Sequence, residues 1–131
     1  MHQFLSFATE LLILAFLIIT FLQSGIDKLL DWKGNVTWLK GHFSESPFKN
    51  IVPQLLVVLV ILEMITALLC FAGIYQIFTS SKTEFAFYAA ILSSITLLCL
   101  LFGQRMAKDY EGAKTIVIYF IPIVLLVYLL Q

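Results

Sequence analysis

The sequence predicts an all-α protein, a polytopic membrane four-helix bundle with an interfacial amphipathic connector between its first and second helices. Three observations predict it. Of 131 residues, 61% are hydrophobic and 12% charged, far from the balance of soluble domains. The apolar residues gather into four blocks, each near the ~20 residues that a helix needs to cross a bilayer. Between the first two blocks, residues 31–50 carry Trp32, Trp38, Leu39, Phe43 and Phe48 interleaved with lysines. That composition suits the headgroup level, where Trp rings anchor and Lys stems snorkel. The whole chain, residues 1–131, reads as one transmembrane domain. A net charge of zero leaves no basic field for nucleic acid, so the expected partners are membrane lipid and other membrane proteins.

The first helix is expected over residues 4–29, with its apolar core at residues 11–22. No positive residue precedes that block and no small-residue cleavage site follows it, so it reads as a spanning helix rather than a removable signal. At 100° per residue, Glu10, Thr20 and Ser24 share one broad, inward-looking side. The chain then leaves the membrane through Gln23-Ser24-Gly25-Ile26-Asp27-Lys28.

The second helix is expected over residues 51–73, opened by Asn50 as N-cap, with Pro53 tolerated in the first turn, and closed at Gly73. Glu63 stands near its middle. An ionised carboxylate at that depth costs about 2 to 3 kcal/mol, so it must be paired, neutralised or placed in a polar cavity. Thr66, Ala67, Cys70 and Gly73 fall on the same meridian and form a stripe of small residues that lets a neighbouring helix come close.

Ser81-Lys82-Thr83-Glu84 has the spacing of a capping box, which opens the third helix over residues 84–103. Ala86, Ala90, Ser93, Thr96 and Gly103 give it a second small-residue face. A charged hairpin at residues 105–112 leads into the fourth helix, residues 113–130, where Pro122 is expected to kink the helix or expose a carbonyl.

Lysine and arginine placement predicts orientation. The first and third connectors hold Lys28, Lys33, Lys40, Lys49, Arg105, Lys108 and Lys114, whereas the second holds Lys82. The first and third are therefore expected to face the cytoplasm and both termini the outside, with Tyr75, Phe78, Phe85 and Tyr88 in the outer aromatic belt.

Cys70 and Cys99 belong to no Cys-x-x-Cys pair and lie at different depths, so both read as packing residues. His2 and His42 are expected on opposite sides of the membrane, without partners at metal spacing. No phosphate loop, nucleophile elbow or paired-His motif appears, and no catalytic residue is assigned. The site candidates are Glu63 and Glu10, with Thr66, Ser93, Ser94 and Tyr119 as neighbours. With no lysine or arginine at comparable depth, desolvation favours the neutral acid, so one or both glutamates, Glu63 above all, are expected to be protonated at neutral pH. Glu63 either hydrogen-bonds to those hydroxyls or to a carbonyl, holding the bundle in register, or meets a quinone, a lipid headgroup or a proton. Asp27, Lys28, Asp31, Arg105, Lys108 and Asp109 form a cytoplasmic rim, where Asp27 and Asp31 are expected to pair with Arg105 or Lys108.

Three stretches carry a family likeness: Gly25-Ile26-Asp27-Lys28-Leu29 closing the first helix, Glu63 followed by small residues to Gly73, and Gln104-Arg105-Met106-Ala107-Lys108-Asp109-Tyr110-Glu111-Gly112-Ala113 between the last two helices. In order and spacing they resemble the DoxX family of small four-helix membrane proteins, over nearly the whole chain. Related families include a subunit of an archaeal thiosulfate:quinone oxidoreductase, membrane partners of mycobacterial superoxide dismutase and sulfurtransferase, MauE-type maturation proteins and eukaryotic cargo-receptor or receptor-assembly proteins. The resemblance implies a bundle in a bacterial inner membrane that serves partners more often than it performs chemistry alone. It carries over no catalytic residue. The leading expectation is a non-enzymatic accessory or assembly subunit of a membrane redox or envelope complex. The alternatives are quinone or lipid binding or proton-coupled transport centred on Glu63, and a purely structural membrane subunit.

Overall fold

The computed structural model describes residues 6–131, and His2 and the first residues of the expected first helix lie outside that range. Among the described residues five helices follow one another: α1 (Ala8–Leu30), α2 (Trp32–His42), α3 (Val52–Ser80), α4 (Glu84–Met106) and α5 (Tyr110–Leu130). α1, α3, α4 and α5 are each long and apolar enough to cross a membrane, so the chain is a multi-pass membrane bundle, with α2 as the connector. α1 packs along α3, α3 along α4, and α4 along α5, while α1 and α5 meet more sparsely. Leu14, Leu17 and Phe21 of α1, Ala89 and Leu97 of α4, and Ile123 and Leu126 of α5 fill the shared core.

The small-residue stripe on α3 lies where its period puts it: Glu63, Thr66, Ala67, Cys70 and Gly73 are all buried. Gly73 does not end the helix. A Cβ there would lie 2.8 Å from the Ala86 Cα and backbone nitrogen, so the glycine lets α3 and α4 touch backbone to backbone. α3 runs on to Ser80 and stops at Ser81, which adopts a left-handed conformation with φ of 59°. Ser81 therefore serves as the C-cap of α3 and not as half of a capping box. The first turn of α4 takes its cap from the neighbouring helix, through Phe85 N–H donating to Gln76 Oε1 at 3.0 Å.

Three other boundaries differ from expectation. Ile51 and not Asn50 is the N-cap of α3, without a side-chain cap, and Pro53 sits in the first turn. α4 continues to Met106, which shortens the charged hairpin to a few residues. α5 opens at Tyr110 because Asp109 caps it, accepting from Gly112 N at 2.9 Å. The helix then runs through Pro122 to Leu130 without a break.

The connector is nearly a continuation of α1. Asp31, at φ −132° and ψ 60°, interrupts the helix for one residue, and its carboxylate accepts from Gly34 N to cap α2. That bend carries α2 away from α1 and across α3, so that His42 reaches the end of α4. The exposed Tyr75, Phe78, Phe85 and Tyr88 cluster around the α3–α4 connection, at the opposite end of α3 from α2.

Candidate functional site

Glu63 is 2% exposed and has a cationic partner that the sequence did not suggest. The Lys28 ammonium lies 2.9 Å from Glu63 Oε1 and donates to Ser24 Oγ one turn back on its own helix. Oε1 takes part in no well-aligned hydrogen bond among the described residues, so the ammonium charge is what compensates it. This corrects the expectation of an acid without a counter-charge.

The cause lies in the lengths of the two helices. α3 extends to Ser80, so its centre falls near Thr66 and Glu63 moves toward the end of the bundle at which α1 stops. Gly25 then brings α1 close. A Cβ on it would lie 2.7 Å from Met64 Sδ and 3.9 Å from the Glu63 Cβ. Lys28, one helical turn further along α1, reaches inward with its stem buried and its side chain 17% exposed.

The other site candidates are committed elsewhere. Thr66, Ser93, Ser94 and Thr96 each donate to the carbonyl four residues earlier in their own helix, at 2.6 to 2.9 Å, so their hydroxyls serve their own backbones. Tyr119 is partly exposed, and its ring lies 6.0 Å from that of Phe16, across the α1–α5 seam. Glu10 sits half-buried in the first turn of α1, at the far end of that helix from Lys28. Thr20, grouped with it, donates to Phe16 O.

The rim is wired differently from the expectation. Among the described residues the ion pairs are Lys28–Glu63 and His42–Asp109, so neither Asp27 nor Asp31 pairs with Arg105 or Lys108. His42 Nε2 lies 2.8 Å from Gln104 Oε1 and 3.6 Å from Asp109 Oδ2. Its ring stacks on Trp38 at 4.7 Å and meets Phe43 edge-on at 5.1 Å. The Arg105 guanidinium lies 5.2 Å from the centre of the Tyr110 ring. Lys108 occupies a left-handed position with φ of 62° in the turn between α4 and α5.

A cavity of about 540 Å³ is bounded by α2, the first half of α3 and the second half of α4. One end reaches Leu62, next to Glu63, and the other is closed by His42 and Gln104. Between them the walls are aliphatic and aromatic, with the free thiol of Cys99; Cys70 is buried elsewhere, on the stripe facing α4. The sequence offered little sign of this cavity, because it depends on the path of α2 after the bend at Asp31. Aromatic residues recurring in the connector were its one legible trace.

The chain matches no family model, no curated protein and no solved structure.

Proposed function

We propose that the chain is a non-enzymatic accessory or assembly subunit of a membrane redox or envelope complex, as the DoxX resemblance implies. One observation supports this above transport or ligand binding at Glu63: the acid is committed to Lys28 of the same chain at 2.9 Å. A carboxylate held in this way ties α1 to α3 and builds a rigid bundle. The outer surface is available for partners, because α5 buries 17% of its spanning window whereas α3 and α4 each bury 33%. Purification in mild detergent followed by mass spectrometry tests the reading. Co-purifying membrane proteins in fixed ratio are the expected result, and a bare monomer overturns it.

The reading includes a bacterial cytoplasmic membrane, with Lys40 and Lys108 on the cytoplasmic side and both termini outside, on the lysine and arginine asymmetry. A phosphatase fused at Gln131 is then active. A bright fluorescent-protein fusion at the same place would invert the orientation.

The second reading, binding of a lipophilic small molecule, is favoured by the cavity and no longer centres on Glu63. A mostly apolar cavity with a few converging polar groups, within the ~300–1,000 Å³ of ligand sites, has the form such a site takes.

A further inference from the structure

We infer that the cavity between α2, α3 and α4 holds one acyl chain of an anionic phospholipid, with the lipid phosphate at the His42 end. The first argument is access. Leu55 and Val58 on α3 and Leu98 and Phe102 on α4 line the cavity and are also exposed, so the cavity opens sideways between two spanning helices. The medium facing that opening in a membrane is hydrocarbon.

The second argument is wall chemistry. Apart from His42, Gln104 and the indole N–H of Trp38, whose ring stacks on His42 at the same end, nothing in the lining is a strong hydrogen-bonding group. An apolar cavity of this size repels water and accepts hydrocarbon, which restores the dispersion contacts that an empty space forfeits.

The third argument is charge. Lys40 follows the lining residue Leu39, Lys49 follows Phe48 and Arg105 follows Gln104, and all three cations are exposed. Lys108 adds a fourth cation, and the acids in the same stretches are Glu45, Glu111 and Asp109, of which Asp109 is already engaged by His42. The polar end of the cavity is thus rimmed by an excess of positive charge, which favours a phosphate over a neutral head. Glu63, at the apolar end, is turned to Lys28 and stays out of the recognition.

Native mass spectrometry of the full chain, extracted in mild detergent and exchanged into micelles containing equal amounts of phosphatidylglycerol and phosphatidylcholine, tests this. The expected spectrum shows one retained phosphatidylglycerol per chain. Leu98→Trp, which fills the opening, lowers retention of both lipids at least about ten-fold. Val58→Phe serves as a second filling variant if Leu98→Trp does not fold, folding being checked by circular dichroism. Lys40→Gln combined with Arg105→Gln keeps a lipid bound but removes the preference for the anionic head. Retention of an isoprenoid quinone in place of phospholipid, equal retention of the two lipids by the wild type, retention that survives both filling variants, or folded wild-type protein with no lipid would each overturn the inference.

Discussion

Two polar contacts each join a basic side chain to a carboxylate, with a neutral partner beside them. In one Lys28 joins Glu63 with Ser24 beside it; in the other His42 joins Asp109 with Gln104 beside it. Each connects parts of the chain far apart in sequence, the first α1 to α3 and the second the end of α2 to the turn before α5. They differ in burial and in closeness. Glu63 is 2% exposed and its contact is 2.9 Å, whereas Asp109 is 32% exposed and its contact with His42 is 3.6 Å. Burial raises the cost of leaving either charge alone, so the inner contact is the more consequential one to break. The outer contact lies within reach of solvent or headgroups, where screening keeps its contribution small. One tie thus holds spanning helices together, and the other positions a connector.

Lys28→Met should have the largest effect, because it strands the Glu63 carboxylate. The expected loss is about 3–5 kcal/mol, read from unfolding in mixed micelles. A loss no greater than that of a surface lysine would remove the contrast between the two ties.

Next in size is Gly73→Val. A Cβ added there would lie 2.8 Å from the Ala86 backbone, so α3 and α4 must separate, at an expected cost of about 1–3 kcal/mol in the same assay. An unchanged stability would show that the close approach of these helices is not what fixes α4 against the stripe.

Smaller again is Asp109→Ala, which removes the cap of α5 together with the His42 contact. The expected loss is about 1 kcal/mol. His42→Leu keeps that cap and should cost less than Asp109→Ala. If it costs as much as Lys28→Met, the two ties are equivalent and the comparison fails.

The sequence made the spans legible because length and hydropathy depend on local composition, and it made the α3 stripe legible because a 3.6-residue period needs no knowledge of partners. Gly73 shows the limit of local signals. A glycine at the end of a small-residue run reads as a stop, yet its role here is contact with Ala86, a residue on another helix. Ser81 illustrates the same competition, since its spacing to Glu84 suggests an N-cap while its left-handed backbone closes the preceding helix. Sequence position alone puts Lys28 where the chain leaves the membrane, whereas the structure sets it beside Glu63. Its depth is set by the stagger of α1 against a 29-residue α3, which no single segment encodes. The Ser24, Gly25 and Lys28 grouping was the available sign: a small residue for close approach, with a hydroxyl and an ammonium one turn apart. The cavity lay further out of reach, since it follows from a one-residue bend at Asp31 and the crossing of α2 over α3.

The claim on which the account rests is that Lys28 and Glu63 hold α1 against α3 as a pair. A double-mutant cycle with Lys28→Met and Glu63→Leu, followed by unfolding in mixed micelles, measures it most directly. If the contact is as described, the double variant is more stable than the two single losses added together, by about 2 kcal/mol or more, because neither charge is left stranded. Strictly additive losses would mean that the two residues act independently, and would contradict the account.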